Sequence, residues 1–228
     1  MAKFHFVEDY ERLVRRLRWK YPIDEAMSLA VGGDYEAIGL KEAAILQYAG
    51  LRDGQSLLDL GCGSGRLAWA LGQKMSIDYC GIDIVQSLLK YARKKSPANY
   101  RFILNRALSL PLPGASFDMA SAFSVFTHLL HHESYLYLEA FHRVLRPGGT
   151  VVFSFLEFLE PGHWETFAGT VEAQRSSKLP ALNQFIERNQ IELWSQKLGY
   201  RNADFIAGTA SPWGDTGALG QSVAILRR

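Results

Sequence analysis

From Ser56 onward, short apolar runs alternate with stretches whose apolar positions recur every three or four residues. That alternation predicts a parallel sheet joined by crossover helices. The runs place strands at 56–60, 77–82, 100–104, 117–123 and 150–155, and the helical spacing places helices at 65–73, 85–95 and 133–145. "RPGG" at 146–149 reads as a helix stop followed by a turn, because Pro147 cannot continue a helix and glycine tolerates positive φ. After the fifth strand the pattern breaks. Residues 159–182 are richer in aromatic and polar residues than a crossover helix needs, and are expected to form an insertion over the top of the sheet. A helix then follows in "NQFIERNQIELWSQKLG", expected to be capped by Asn183 and stopped by Gly199. Two last strands are expected at 200–207 and 221–226.

Upstream, Phe4, Val7, Tyr10, Val14, Leu17 and Tyr21 recur at three- and four-residue spacings, which makes a helix with one apolar face. The run Arg15-Arg16-Leu17-Arg18-Trp19-Lys20 then falls on its solvated face and its end, where cations suit the macrodipole; the other reading is contact with an anionic substrate or surface. A further helix is expected within 34–54, and Gly32-Gly33 forms a joint before it.

Composition narrows the classes. With 25 Lys and Arg against 23 Asp and Glu, the net charge of +2 gives no argument for nucleic acid. The first residues alternate in charge rather than forming an apolar core, so no signal peptide is expected. No apolar run reaches the ~18 residues of a spanning helix, so no membrane association is expected. Cys62 and Cys80 fit neither a disulfide framework nor a zinc pattern, which points to reduced thiols and a cytoplasmic home.

Candidate chemistry centres on "LLDLGCGSGRLAWAL", residues 57–71, where a strand turns into a helix through Gly61, Gly63 and Gly65. Such loops sit at the carboxyl ends of parallel strands, where open α/β sheets bind ligands, and the helix start directs free N–H groups outward. The spacing is G-x-G-x-G and not the G-x-G-x-x-G of the dinucleotide fingerprint. Asp59 precedes the glycines and suits a ligand carrying an ammonium group. Asp83 ends the next strand in "GIDI", where a carboxylate suits a ribose diol, and Ile84 offers an apolar surface to a base.

Together, "LLDLGCGSGRLAWAL", "GIDI", "LPLPGASFDMASAFSVFTHL" and "VLRPGGTVVFSF" resemble the class I S-adenosylmethionine-dependent methyltransferases across roughly residues 40 to 158. The resemblance implies a Rossmann-like doubly wound α/β sheet of seven strands, mostly parallel with one antiparallel strand. It implies a single domain over 1–228: a helical lid at 1–50, a cofactor-binding core at 51–158, the cap at 159–182 and a closing helix with strands at 183–228. Asp59, Gly61, Cys62 and Gly63 would hold the methionine part of S-adenosylmethionine, Asp83 its ribose and Ile84 its adenine, with S-adenosylhomocysteine as product. The position that in this family often carries an acid for the adenine amine is here Arg106. A guanidinium cannot accept from an amine, which leaves Asn105, the backbone around Ala107, or stacking of Arg106 on the ring. Phe123 and Ser124 would lie near the sulfonium, and Arg66 faces either the cofactor carboxylate or solvent. In this family the N-terminal segment often folds over the cofactor, which would bring Met27, Tyr35 or Tyr21 near it.

The implied reaction is an in-line displacement on a small or medium-sized organic acceptor, and a base is needed only where the acceptor must lose a proton. His128, in "SVFTHL", and His163, in the aromatic insertion, are the candidate catalytic residues. His131, His132 and His142 read as structural, and no ligand spacing points to a metal. Two other functions stay open at this level: a nicotinamide-dependent oxidoreductase, and a non-catalytic S-adenosylmethionine-binding protein. The acceptor and the oligomeric state are not legible.

Overall fold

The computed structural model describes residues 7–177 and 182–228. Seven strands form one sheet: β1 (Ser56–Leu60), β2 (Asp78–Asp83), β3 (Arg101–Leu104), β4 (Phe117–Ala122), β5 (Leu145–Phe155), β6 (Asn202–Ile206) and β7 (Ser222–Arg227). Their order is β3-β2-β1-β4-β5-β7-β6. All neighbours are parallel except at β7, which runs antiparallel to both β5 and β6. The order reverses at β1, between β2 and β4, and that reversal opens a crevice at the carboxyl ends of these strands.

Among the described residues eight α-helices surround the sheet: α1 (Val7–Lys20), α2 (Ile23–Leu29), α3 (Tyr35–Ala49), α4 (Arg66–Gly72), α5 (Gln86–Lys95), α6 (His131–Val144), α7 (Pro161–Arg175) and α8 (Arg188–Leu198). Every residue of β1 is buried, as expected for a strand covered on both faces. One face packs Leu58, Ala120, Val151 and Phe153 against α6, with Phe126 stacked on Phe153 at 4.4 Å between ring centres. The other packs Leu57, Tyr79, Met119 and Val152 under α3 and α4. A third cluster joins Val14 of α1 and Met27 of α2 to Leu88 and Tyr91 of α5, so the N-terminal helices rest on the start of α5. Among the described residues no helix is long and apolar enough to cross a membrane.

Three expectations change. "RPGG" is not a turn between helix and strand: β5 starts directly after α6, and 146–149 bulge out of the ladder, since Phe117 pairs with Leu145 and Met119 already with Thr150. Pro147 has no N–H to give the ladder, which forces the departure. Asn183 does not cap α8, which begins at Arg188 after Glu187. The stretch before it is drawn out by the Gln184 N–H on the Thr127 carbonyl at 2.7 Å and the Ile186 N–H on the Leu156 carbonyl at 2.8 Å, while the Asn183 amide donates to Thr170. The insertion is a helix, α7, whose described residues touch Asn183, Phe185 and the Gly220 carbonyl and do not line the crevice. Phe158 stacks on Phe185 with Phe167 edge-on, and the buried Glu157 carboxylate accepts two bonds from Arg188.

Gly65 shows why the loop after β1 demands glycine. Its φ is 85°, and an added Cβ would lie 2.7 Å from the Ala92 Cβ, so α4 and α5 meet there without room for a methyl group. Gly65→Ala is expected to lower stability by about 1–3 kcal/mol, read as a shift of the urea midpoint with an unchanged slope.

Candidate active site

A cavity of about 490 Å³ opens at the carboxyl ends of β1, β2 and β4. Asp59, Gly61, Cys62, Gly63, Arg66, Asp83, Ile84, Asn105, Phe123, Ser124 and His128 all line it, so the structure gathers eleven of the residues singled out in the sequence around one space. Arg106, Ala107 and His163 lie outside that lining.

Asp59 sits in mid-sheet, 3% exposed. Its Oδ2 accepts the Tyr79 hydroxyl at 2.6 Å and its Oδ1 the Ser121 hydroxyl at 2.9 Å. Burial pushes this carboxyl up to about 7, against the pull of those two hydroxyls; the nearby Glu42 adds to the rise. At the end of β2, Asp83 Oδ2 accepts the Gly63 N–H at 2.9 Å and Oδ1 the Val85 N–H at 2.8 Å. Its carboxyl is also raised by burial, opposed by these N–H donors. Each oxygen takes one N–H and keeps a lone pair for a further donor. Gly63 itself has φ 54°, and a Cβ there would meet Val31 at 2.7 Å, so the loop is closed from outside by the N-terminal segment as well as shaped for a ligand inside.

Arg66 faces neither a free ligand position alone nor solvent. Its guanidinium pairs with buried Glu42 at 2.5 Å and donates to the Val31 carbonyl at 2.6 Å. Burial raises the Glu42 carboxyl and Arg66 counters it. Arg106 is likewise engaged: Nε donates to the Ile84 carbonyl at 3.0 Å, and the guanidinium forms an ion pair with Glu11 of α1. Asn105 Oδ1 accepts the Ala107 N–H, closing the loop after β3 on itself.

The cover over the cavity comes from the N-terminus. Tyr10 and Leu13 of α1 and residues 29–32 line it, whereas Met27, Tyr35 and Tyr21 do not. Met27 and Tyr35 instead anchor the glycine loop: the Ser64 hydroxyl donates to the Met27 carbonyl and the Tyr35 hydroxyl to the Ser64 carbonyl, each at 3.0 Å.

Of the two candidate histidines, only His128 reaches the cavity. It closes a 3-10 turn (Phe126–His128), and its Nδ1 lies 2.7 Å from the Leu182 carbonyl. A carbonyl only accepts, so Nδ1 carries the proton and Nε2 holds the free lone pair. The Tyr10 ring stands edge-on to the imidazole at 6.3 Å. His163 is buried away from the cavity, with Nδ1 taking the Glu157 N–H at 3.0 Å and Nε2 bonding the Gly220 carbonyl at 3.1 Å. Both ring nitrogens are committed to backbone, which ties α7 to the loop before β7.

Tyr10, Glu42, Tyr137 and Gln221 also line the cavity and were not singled out as site residues from the sequence. Gln221 Oε1 accepts from Ser154 at 2.7 Å and Ser124 at 3.3 Å, and Ser154 in turn accepts the Ser124 N–H at 2.7 Å. This bonding holds Ser124 at φ 55°, a left-handed value uncommon outside glycine.

Residues 58–153 match the family described as "Methyltransferase domain". A curated relative, a ubiquinone biosynthesis O-methyltransferase of Pseudomonas aeruginosa, is 28% identical over 175 residues, covering 73% of this chain and 72% of its own. Among solved structures, magnesium protoporphyrin IX methyltransferase of Synechocystis PCC 6803 with bound S-adenosylhomocysteine aligns with TM-score 0.65 at 18% identity, over 98% of this chain and 96% of the other. A methyltransferase in complex with the Trm112 activator of Haloferax volcanii aligns with TM-score 0.66 at 17% identity, over 100% and 98%.

Burial keeps the Asp59 proton in place up to about pH 7, whereas the unfolded chain releases it near pH 4. Between those values folding takes up a proton, so this group makes stability fall as pH rises and level off above 7. Asp59→Asn is expected to lack that fall, gaining on the order of 1 kcal/mol or more relative to the parent chain between pH 4 and 7. Urea unfolding across that range checks it; parallel curves for the two proteins would refute it.

Proposed function

This chain belongs to the class I S-adenosylmethionine-dependent methyltransferases, and we propose that it methylates a hydroxyl group on a small or medium-sized, largely apolar organic acceptor, with His128 taking the hydroxyl proton. When bound, S-adenosylmethionine supplies a methyl group already activated on a sulfonium.

The residues present fit that cofactor. Asp83 keeps one acceptor site on each oxygen for the ribose diol, Ile84 and Val85 give an apolar wall for adenine, and Asp59 lines the cavity with acceptor oxygens for an ammonium, whose charge would favour the ionised carboxylate. Asn105 stands at the wall where Arg106 has turned away to Ile84 and Glu11. The Arg66 guanidinium is already neutralised by Glu42, so it contributes to the loop's shape more than to binding an anion.

On the acceptor side, Phe123, Val125, Leu129, Tyr137, Tyr10 and Leu13 provide a mostly apolar lining. Displacement at an activated methyl group needs alignment and exclusion of water, and α1 closes the cavity with Tyr10 and Leu13. A neutral hydroxyl must also shed its proton. The observation that carries the reading is the Nδ1 bond from His128 to the Leu182 carbonyl, which leaves Nε2, on a ring that lines the cavity, as the nitrogen able to take a proton. The O-methyltransferase names of curated relatives support an oxygen acceptor.

A screen of phenolic, catecholic, amine and thiol acceptors, with the methylated atom identified by mass spectrometry, tests the acceptor class; methylation confined to nitrogen or sulfur would sink it. NADH serves as the parallel ligand in calorimetry and is expected not to bind. His128→Asn is expected to cut kcat by about 10²–10⁴ while S-adenosylhomocysteine affinity stays within about twofold. Full activity would remove the base role. Asp83→Ala is expected to weaken S-adenosylhomocysteine by about 10- to 100-fold, the loss of charge-assisted bonds, and unchanged binding in calorimetry would take the ribose from Asp83.

A further inference from the structure

A second cavity, of about 300 Å³, lies on the outer side of α1, between that helix and the start of α5. Arg15 and Arg18, one turn apart on α1, face Ser87 and Lys90 of α5 across it. Glu11 also lines it, but its carboxylate is held by Arg106. Among the described residues, Arg15, Arg18 and Lys90 have neither an ion-pair nor a hydrogen-bond partner, and all three are exposed. The two helical segments that flank it are rich in cations. Residues 12–20 and 86–95 hold nine of the chain's 25 Lys and Arg and none of its 23 Asp and Glu, although the chain as a whole carries only +2. Like charges crowded this way repel one another, and an anion held between them relieves that repulsion.

We propose that this cleft is an anion site that takes a phosphate group, either of a soluble ligand or of a lipid headgroup. Two arginine forks, one ammonium and the Ser87 hydroxyl suit a multiply charged tetrahedral oxyanion better than a single carboxylate. The first turn of α5, with Gln86 and Ser87, lines the same cleft, and a helix start favours an anion. Val85 lines this cleft and also the cofactor cavity, and α1 is the wall between them, presenting Tyr10 and Leu13 to one side and Val14 to the other. A phosphate bridging α1 to α5 therefore holds the cover over the cofactor. By linkage, phosphate and S-adenosylhomocysteine tighten one another.

The site is tested on the full chain by calorimetric titration with inorganic pyrophosphate, at ionic strength matched with sodium chloride and without cofactor. Saturable binding is expected, weakened about tenfold or more in Lys90→Glu and in the double variant Arg15→Glu/Arg18→Glu. All three substitutions are at exposed positions, and S-adenosylhomocysteine affinity without pyrophosphate reports that the variants are folded. In a second arm, the same proteins are sedimented with vesicles of phosphatidylglycerol or of phosphatidylcholine. Pyrophosphate saturation without vesicle binding assigns a soluble phosphate ligand. Charge-dependent binding to phosphatidylglycerol vesicles, lost in the variants, assigns a headgroup. Failure of both arms, or equal binding by the parent and the variants, overturns the proposal.

Discussion

Two carboxylates buried at the ends of neighbouring strands are the constraint around which the rest of this molecule is arranged. Placing Asp59 and Asp83 out of water is expensive unless each finds donors. Tyr79 and Ser121 supply them to Asp59 from β2 and β4, and the Gly63 and Val85 N–H groups supply them to Asp83. The second set has a structural result beyond satisfying a charge. Asp83 fixes the glycine loop after β1 and the turn into α5 with one side chain, so two crossover connections take their shape from a single residue. The ligand cavity is the space left beside it.

The same logic explains why the N-terminal helices, and not the insertion, form the cover. The glycine loop bonds outward to Met27 and Tyr35 through Ser64, and Arg66 reaches the Val31 carbonyl. These bonds draw α2 and the segment after it against the loop, and α1 follows onto α5. The insertion has its own anchors elsewhere: Glu157 on Arg188 and Ser222, and His163 on the backbone of residues 157 and 220. Its helix supports the antiparallel edge of the sheet, and at its end the Leu182 carbonyl reaches the cavity only through His128.

Much of this was legible in the sequence, and the pattern of misses is physical. Strands covered on both faces are short continuous apolar runs, so β1, β2 and β4 could be placed within a residue or two. Asp59 and Asp83 stood out because an acid ending such a run has no local reason to be there. Tyr10 was visible only as one member of an apolar helical face, which tells that it is buried but not against what. Gln221 carried no signal, since its partners Ser124 and Ser154 lie 97 and 67 residues away. His163 was attractive because of the aromatic residues beside it, yet its role is set by Gly220, 57 positions on. Asn183 had the right chemistry for a cap, and backbone pairing with Thr127 and Leu156 overrode it. Periodicity reports burial; it is silent on which distant group arrives opposite.

The ion pair between Glu11 and Arg106 ties α1 to the carbonyl that follows β2, and both side chains are more than a third exposed. Such a pair is worth at most about 1 kcal/mol, a factor of roughly five in population, and its field fades over about 8 Å at physiological salt. Most of what seats α1 is therefore the apolar packing of Val14 on Met27, Leu88 and Tyr91, and the ion pair is the fastening that can break at little cost. For an enzyme that must expel a spent cofactor after every turnover, a tighter fastening would trap the product. The chain thus puts an easily broken link at the door, and sets its buried, hydrogen-bonded carboxylates in the frame beneath.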